Sequence, residues 1–245
     1  MIPRHLDESK VTSSTSNHAQ RRNHLTGNVP DSNPWAPATN ERLADAVPGG
    51  GALTGAGAPR ENAGMAQPTD PDRVKLLCGM ISADRGLLAL ATGPLTRAFG
   101  PVDLVSDVMN FDFTHYYDEQ MGKGLFRRFV SFAQLVNPGV LAEAKGRTNA
   151  IEADFAAGAP ASRPRPVNID PGYVAPSKLV LASMKNFSHR IYLGRGVYAE
   201  ITLMYRNRRW ESLDWTFPDY ASGRYDGFLT EARSRLAADE STENK

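Results

Sequence analysis

The pattern of apolar and polar positions changes once along the chain. Residues 1–72 are rich in Ser, Asn, Pro, Gly and Ala and show no apolar period, as in Gly49–Gly57. Such a segment cannot bury enough apolar surface to offset the loss of chain entropy, so the sequence predicts a disordered N-terminal extension. Trp35 stands alone in it, either as an exposed aromatic residue or as a short docking motif. Residues 73–238 carry the periodic pattern of a single domain, and residues 239–245 form a polar tail.

Apolar runs and caps predict the first elements of the domain. Val74–Ile81 is a continuous apolar run, which is typical of a buried strand. Ser82 or Asp84 can cap a helix after it. Gly93-Pro94 is expected to break or kink that helix, because proline lacks the N–H donor and clashes with the preceding turn. Val102–Val108 is the next predicted strand.

The middle of the domain switches from a strand period to a helix period. Alternate positions of Phe126–Phe132 divide into two sets, and this period of two predicts a strand. The sets are Phe126, Arg128, Val130 and Phe132 against Arg127, Phe129 and Ser131. Pro138 suits the first turn of a helix, since its missing N–H would be unpaired there in any case. The helix of residues 138–155 carries one apolar stripe, and residues 156–166 are rich in Ala, Gly, Pro and Arg, as in a loop. A C-terminal helix is predicted from Phe228.

A hairpin is the clearest local signal. His189–Leu193 and Val197–Leu203 flank Gly194-Arg195-Gly196, a loop whose glycines can take a left-handed conformation. If Leu193 pairs with Val197, a period of two gives one apolar face and one face of aromatic and charged pairs. Strands and helices without regular alternation predict an α+β class, as a single domain with an antiparallel, hairpin-containing sheet and a few packed helices. The predicted pairs are Ile191 with Ala199, His189 with Ile201, Tyr192 with Tyr198, and Arg190 with Glu200.

Charge and composition exclude several classes of protein. The 245 residues include 28 Lys and Arg against 27 Asp and Glu, and this balance makes nucleic acid an unexpected partner. No apolar run approaches the roughly 20 residues that span a membrane, and the first residues lack the apolar core of a secretory signal. Cys78 is the only cysteine, so no intrachain disulfide can form and a cytoplasmic location is expected. Residues 73–238 carry 21 Lys and Arg against 16 Asp and Glu, an excess that favours an anionic ligand.

Three segments hold more polar and aromatic residues than packing requires. They are Asn110–Glu119, Asn168–Tyr173 and Leu213–Tyr220, and each sets an aspartate beside proline, glycine or an aromatic residue. Binding groups concentrate on such loops when a rigid scaffold positions them. The alternative for Asp170-Pro171-Gly172 is an ordinary turn, in which proline sets φ and glycine accepts a positive φ. The segments supply one candidate catalytic residue, Asp170, and four candidate ligand-binding residues, Asp112, Tyr116, Trp215 and Asp219.

A second group of candidates surrounds the hairpin. Arg190 is a potential bidentate donor to an anion, although a cross-strand pair with Glu200 is an equal expectation. His189 on the apolar face is more typical of a hydrogen-bonded structural residue than of a catalyst. The candidate ligand-binding residues here are Lys178, Lys185, Arg190 and Tyr192, and the candidate catalytic residues are His189 and Glu200.

The helix of residues 138–155 also carries a polar stripe. Lys145, Asn149 and Glu152 follow one another at helical spacing beside the apolar stripe. A solvated face is the favoured interpretation unless the stripe faces the three polar segments.

Familiar site motifs are absent from the sequence. It contains no phosphate loop of the form G-x-x-x-x-G-K-[ST], no dinucleotide-binding G-x-G-x-x-G, no G-x-S-x-G elbow and no zinc spacing of Cys and His. A Mg²⁺ site from Asp112, Asp170, Glu200 and Asp219 is chemically open, but nothing local fixes its geometry, and no metal ligand is assigned. Binding of single-stranded RNA by the aromatic residues is a third hypothesis, without a recognisable RNA motif.

Short motifs of aromatic, glycine and charged residues occur along residues 73–236. They are Phe111–Thr114, Tyr116–Tyr117, Glu119–Gly122, Arg128–Phe132, Lys145–Asn149, Asn168–Tyr173, Lys178–Ala182, His189–Leu193, Tyr198–Glu200 and Trp215–Tyr220. With these motifs the chain resembles a prokaryotic family catalogued as domain of unknown function 4416. The resemblance implies the boundary of the domain and brings no activity with it. Some members are labelled GTP-binding proteins, a label that this sequence does not support, since it lacks the phosphate loop and an N-K-x-D guanine-reading motif.

Two functions of different class follow from these residues. The first is a cytoplasmic protein that binds, and as an enzyme would act on, a small anionic ligand such as a nucleotide or sugar phosphate. The anion would be held by Arg190, Lys185 and Lys178. Tyr192 and Trp215 would stack on the ligand. Asp170 or Glu200 would act as a base or as a metal ligand. The alternative is a non-catalytic protein-interaction module that presents the aromatic face of the hairpin to a partner.

Overall fold

The structure, a computed structural model, describes residues 67–243. The disorder predicted for residues 1–72 therefore lies outside the described residues, except for residues 67–72. The docking motif considered at Trp35 also lies outside them. Residues 67–73 are largely exposed and contain no helix or strand.

One antiparallel sheet forms the centre of the described residues, with helices packed on both of its faces. The strands are β1 (Val74–Ser82), β2 (Val102–Val105), β3 (Met109–Phe111), β4 (Leu125–Val136), β5 (Asn168–Ala175), β6 (Lys178–Ser183), β7 (Ile191–Gly194), β8 (Val197–Arg206) and β9 (Arg209–Ser212). The helices are α1 (Arg85–Phe99), α2 (Asp118–Met121), α3 (Leu141–Ala157), α4 (Pro218–Ala221) and α5 (Asp226–Glu243). The predicted α+β class with an antiparallel sheet is thus confirmed. None of the helices in the described range is long and apolar enough to cross a membrane.

Strand β1 lies between β4 and β5 and is buried along its whole length. The sheet order is β2-β4-β1-β5-β6-β8-β7, with β3 beside β4 and β9 beside β8. Leu76, Cys78 and Met80 pack with α1 and α3 in one core, whereas Leu77 packs with α5 in a second core. A strand with helices on both faces is mostly apolar on both sides, which explains the apolar run Leu76–Ile81 in β1. Each fully buried Leu or Met stabilises the fold by roughly 1.5–3 kcal/mol.

Helix α1 begins where the sequence predicts and does not break at Pro94. The Asp84 side chain caps the helix by accepting a 2.7 Å hydrogen bond from the Gly86 N–H. The expected break is wrong, because α1 continues through Pro94 to Phe99. Burial of Leu88, Ala91 and Leu95 against the sheet offsets the cost of an internal proline, which is about 3 kcal/mol.

Helix α3 and the C-terminal helix confirm the predictions made for them, with small shifts. A 3₁₀ turn at Pro138–Val140 leads into α3, whose predicted apolar stripe is buried against the sheet. Helix α5 begins at Asp226, two residues before the predicted start at Phe228, and continues into the 239–245 segment as far as Glu243. In that last part, Asp239 accepts a 2.9 Å hydrogen bond from the buried ammonium of Lys75 in β1.

The predicted strands differ mainly in length. The Phe126–Phe132 prediction is confirmed within the longer β4, while the Val102–Val108 prediction ends early, as β2 stops at Val105. The hairpin pairs Ile191 with Ala199 and Tyr192 with Tyr198, as predicted. The predicted Leu193–Val197 pair is wrong.

The end of the β7–β8 hairpin differs from the prediction because the pairing of the two strands shifts by one residue at a glycine. Gly194 lies opposite Val197 and adopts a φ of 100°, a conformation that glycine takes without steric cost. The face predicted to be apolar is not buried on β7, where Ile191 is 71 % exposed. The strand is the last in the sheet, and its Ile191, Tyr192 and Leu193 side chains are all exposed in the part of the chain that the structure describes.

The Asp170-Pro171-Gly172 segment is part of β5 and not a turn, which corrects that alternative from the sequence. Strand β5 pairs with β1 from Asn168 to Val174, but its pairing with β6 starts only at Gly172. Pro171 has no N–H with which to extend the ladder towards β6. Gly172 permits the last close contact, since a Cβ there would lie 2.6 Å from the Val180 carbonyl oxygen. Beyond this point β5 and β6 separate, while β6 stays paired with β8 as far as Ser183.

Replacing Arg208 by glycine is expected to stabilise the protein. Asn207 and Arg208 form the two-residue turn between the paired Arg206 and Arg209, with φ angles of 50° and 62°. A left-handed conformation costs an L-residue about 1–2 kcal/mol, and the greater freedom of glycine in the unfolded chain cancels part of the gain. The free energy of unfolding should therefore rise by about 0.5–1 kcal/mol, measured by urea denaturation.

The control for this variant is Arg206→Gly. Arg206 lies in β8, where glycine weakens a strand, so this variant should be less stable than the wild type. An Arg208→Gly protein that is no more stable than the wild type would contradict the expected turn strain.

Candidate functional site

A pocket of about 540 Å³ lies where β5 and β6 separate. Helix α3 contributes Lys145 and Asn149 to its wall, and the other face of the sheet contributes Asp219 and Tyr220 of α4. Asp170 of β5 forms part of the floor. Because the ladder between β5 and β6 is interrupted, side chains from both faces of the sheet meet in one cavity.

Asp170 is the central carboxylate of the floor. Its Oδ1 accepts a 2.9 Å hydrogen bond from Lys145 Nζ, and its Oδ2 accepts a 2.6 Å bond from Asn168 Nδ2. Burial alone would raise the pKa of the Asp170 carboxyl, but the Lys145 ammonium and these hydrogen bonds hold the pKa below its ordinary value. Asp170 is therefore an ionised hydrogen-bond acceptor at neutral pH.

Glu152 links Arg165 in the pocket wall to the backbone of β5 by hydrogen bonds. Its Oε2 accepts a 2.9 Å bond from Arg165 Nη2, and its Oε1 accepts a 2.7 Å bond from the Ile169 backbone N–H. Arg165 also donates to the Asn168 side-chain oxygen. The polar stripe of Lys145, Asn149 and Glu152 thus faces Asp170 and β5, which is the condition under which the sequence favours a functional role.

Arg127 of β4 is a nearly fully buried cation that lines the pocket. It donates from Nη1 to Asp219 Oδ2 at 3.2 Å and from Nη2 to the Tyr220 hydroxyl at 2.8 Å. Its Nε has no hydrogen-bond partner among residues 67–243. Gly79 leaves the space for the guanidinium, since a Cβ there would lie 3.1 Å from Nη2. The rings of Phe111, Phe129, Tyr220 and Tyr225 surround it at 4.9–5.5 Å.

Tyr116 and Lys185 meet at the mouth of the pocket. The Lys185 ammonium donates to the Tyr116 hydroxyl and lies 4.3 Å from the centre of its ring. This hydrogen bond lowers the pKa of the Tyr116 phenol, which is 62 % exposed. Within the described residues, Lys185 forms no salt bridge with a carboxylate.

Glu200 is a buried carboxylate shared by two neighbouring side chains. Its Oε2 accepts a 2.7 Å bond from Arg190 Nε and lies 2.8 Å from His189 Nε2. Arg190 also donates from Nη1 to the Ser183 hydroxyl at 2.8 Å. His189 stacks on Trp215 at a centroid distance of 5.0 Å and does not line the pocket. Arg190 and Glu200 form the cross-hairpin pair expected from the sequence and also reach the pocket wall.

The structure brings six of the eleven sequence candidates into the pocket wall and leaves five outside it. Trp215 donates from its indole N–H to the Ile201 carbonyl, and Tyr192 accepts a hydrogen bond from the Gly196 N–H. Asp112 pairs with Arg224. The residues in the wall are Tyr116, Asp170, Lys185, Arg190, Glu200 and Asp219, and those outside are Asp112, Lys178, His189, Tyr192 and Trp215.

The carboxylates considered for Mg²⁺ do not converge on one another. Asp112, Asp170, Glu200 and Asp219 each pair with a different cationic side chain. In the part of the chain that the structure describes, no three His, Cys, Asp or Glu side chains form a group that could hold a metal ion.

Sequence reasoning missed Arg127 and Arg165 as site residues. Arg127 is one of two adjacent arginines in β4, and alternation gives no sign of which one is buried between aromatic rings. Arg165 lies in a segment whose composition predicts only a loop. The available signal was Gly79, a glycine within an otherwise apolar strand, which often marks a close approach of another group.

The fold and pocket define an α+β protein whose single antiparallel sheet opens onto a charged cavity. A family model, described as domain of unknown function DUF4416, matches residues 72–236. The chain therefore belongs to this family, which confirms the resemblance noted in its motifs. Searches of curated proteins and of solved structures gave no match.

The neighbouring tyrosines Tyr116 and Tyr117 are expected to lose their protons at different pH. Tyr116 should ionise below the ordinary value of 10, whereas burial raises the pKa of Tyr117 to about 12. The folded state holds the Tyr117 proton more tightly than the unfolded chain does. This contribution to stability is present below pH 10 and is lost as the pH rises towards about 12.

The tyrosinate absorbance of the wild type, compared with Tyr116→Phe and Tyr117→Phe, measures this order. Lys185→Gln should return the pKa of Tyr116 towards its ordinary value, because the hydrogen bond from the ammonium is the main cause of the shift. Ionisation of Tyr117 before Tyr116 would contradict the described mouth of the pocket.

Proposed function

We propose that the pocket binds a small anionic ligand, a nucleotide or a sugar phosphate, with its anionic group at the mouth. The observation that carries the proposal is the position of Lys185, a cation at the pocket wall that contacts a neutral phenol and no carboxylate in the described residues. A cation without an anionic partner in a concave site is suited to a phosphate or carboxylate.

The distribution of charge supports this orientation of the ligand. The wall contains five cationic and three anionic side chains. Four of the cations, Arg127, Lys145, Arg165 and Arg190, each pair with a carboxylate. The positive charge without a carboxylate partner in the described residues is therefore that of Lys185, which lies at the mouth on the segment after β6.

Aromatic side chains supply surface for the body of the ligand. Phe113, Tyr116, Tyr117 and Phe217 line the pocket beside the charged groups. Pockets of a few hundred Å³ with mostly apolar walls and a few convergent polar groups are typical of small-molecule sites. Tyr192 and Trp215, the aromatic residues expected to stack, lie outside this wall, so the rings of the mouth take that role in the proposal.

The proposal concerns binding and assigns no reaction. A general base works best when its pKa is near the operating pH, whereas the pKa of Asp170 is lowered by its pairing with Lys145. Asp170 in this state is a weak base and a strong hydrogen-bond acceptor. The proposed role of Asp170 is therefore to bind the ligand.

Lys185→Gln is expected to weaken binding of a phosphorylated ligand. Loss of one charge-assisted hydrogen bond costs about 1.5–3 kcal/mol, or roughly a 10- to 100-fold increase in Kd. Isothermal titration calorimetry of the full chain against AMP and ribose 5-phosphate measures this change. Lys185 is exposed, so the substitution should leave the fold intact.

The matched control is Lys123→Gln, an exposed lysine outside the pocket wall, which should bind as the wild type does. Equal binding by Lys185→Gln and the wild type would contradict the assignment of the anion to Lys185. Absence of binding to every nucleotide and sugar phosphate tested would contradict the proposed function itself.

A second candidate function, a protein-interaction surface, has one observation in its favour. Strand β7 is the last strand of the sheet, and Ile191, Tyr192 and Leu193 are all exposed on it. An edge strand offers unpaired N–H and C=O groups, and a second copy of the same strand can pair with it about a two-fold axis. A homodimer formed through β7 is the partner that this geometry fits.

Light scattering across a range of protein concentrations tests the second candidate. The wild type should dimerise, and Ile191→Lys should be monomeric because a charge would be buried in the new interface. Leu90→Lys, which changes an equally exposed leucine on α1, is the control and should dimerise normally. A wild-type protein that stays monomeric at every concentration would exclude this function.

A further inference from the structure

We infer that the floor of the pocket selects hydroxyl groups, so that the ligand is a phosphorylated polyol or sugar whose hydroxyls bind Asp170 and Asn149. The inference rests on the proposed function, in which the phosphate lies at the mouth near Lys185. It adds which groups of the ligand, namely hydroxyls, contact the floor of the pocket.

Asp170 has unused capacity to accept hydrogen bonds. Two carboxylate oxygens offer about four acceptor positions, and the two bonds from Lys145 and Asn168 occupy one on each oxygen. The side chain of Asp170 is 28 % exposed, although its strand is central in the sheet. Because Asp170 lines the cavity and is partly exposed, a ligand there can reach its open acceptor positions.

Asn149 adds a neutral polar group to the same wall. It lies one turn after Lys145 on α3, and its side chain forms no hydrogen bond within the described residues. A carboxamide both donates and accepts, as a hydroxyl does, so it can bind hydroxyl groups in either direction. Asn168, in contrast, is occupied by Arg165 and Asp170.

Charge at the floor favours a neutral donor over an ion. A second phosphate would meet the carboxylates of Asp170 and Asp219, and an ammonium group would meet Arg127, Lys145 and Arg165. Like charges within one cavity disfavour binding, while a hydroxyl can donate to Asp170 without either repulsion. A polar site of this kind also rejects an apolar group, because its buried acceptors would then lose water without gaining a partner.

Two probes that share a phosphate and differ in hydroxyl groups test the inference on the unaltered protein. Ribose 5-phosphate and pentyl phosphate have similar length, but pentyl phosphate has no hydroxyl on its chain. The wild type should bind ribose 5-phosphate at least tenfold more tightly than pentyl phosphate, measured by calorimetry on the full chain. Inorganic phosphate, which carries no organic chain, gives the affinity of the phosphate group alone for the mouth.

Variants then locate the preference at the floor. Asn149→Ala keeps the Asp170–Lys145 pair intact and should lower affinity for ribose 5-phosphate severalfold while leaving pentyl phosphate unchanged. Asp170→Asn should remove most of the preference, provided that its unfolding transition shows a folded protein. Asp154→Asn, on the exposed side of α3, is the matched control and should keep the full preference.

The outcomes separate this inference from the proposed function. Equal binding of the two organic phosphates, or tighter binding of pentyl phosphate, overturns hydroxyl selection and leaves the anion site at Lys185 standing. A preference that persists undiminished in both Asn149→Ala and Asp170→Asn also overturns it. If neither probe binds the wild type, this inference is wrong, and the proposed function is wrong as well if AMP also fails to bind.

Discussion

The separation of β5 from β6 at Pro171 is the constraint on which the site depends. A sheet interior is normally closed by hydrogen bonds on both sides of each strand, and here one ladder stops at Gly172 while both strands continue. The opening lets Lys145 of α3 reach Asp170, whose strand position belongs to the opposite face of the sheet. Pro171, which has no N–H, thus marks the place where the ladder on one side of β5 ends and a cavity lined by side chains from both faces of the sheet begins.

Each charge at the floor is held by a specific partner. Arg127 pairs with Asp219, Lys145 with Asp170, and Glu152 binds both Arg165 and the backbone of β5. Removing one member of the buried Arg127–Asp219 pair would leave an uncompensated charge, which costs about 3–5 kcal/mol. The side chains of the floor are therefore held by one another, and in the proposed function its acceptors are in place before a ligand binds. Preorganisation of this kind reduces the entropy that binding must overcome.

The sequence predicts those elements in which local pattern and packing agree. The apolar run of β1, the stripe of α3 and two pairs of the β7–β8 hairpin follow from period alone. Asp170-Pro171-Gly172 also fits a turn in the sequence, although it lies in β5. Proline and glycine favour turns, but they also occur where the hydrogen-bond ladder ends on one side of a strand. The break expected at Pro94 does not occur, because burial of the apolar side of α1 outweighs the local tendency of proline to end a helix. The convergence of Arg127 with Asp219 depends on contacts 92 residues apart, which no local pattern reports.

The contact between Lys185 and Tyr116 also has a kinetic consequence. It joins the segment after β3 to the segment after β6 across the mouth, and in the proposed function an arriving anion competes with the phenol for the ammonium. The association rate would then depend on how often this contact opens, and the affinity would be the difference between two interactions of the same cation. After release of the ligand, the contact would form again and return the mouth to its unliganded arrangement.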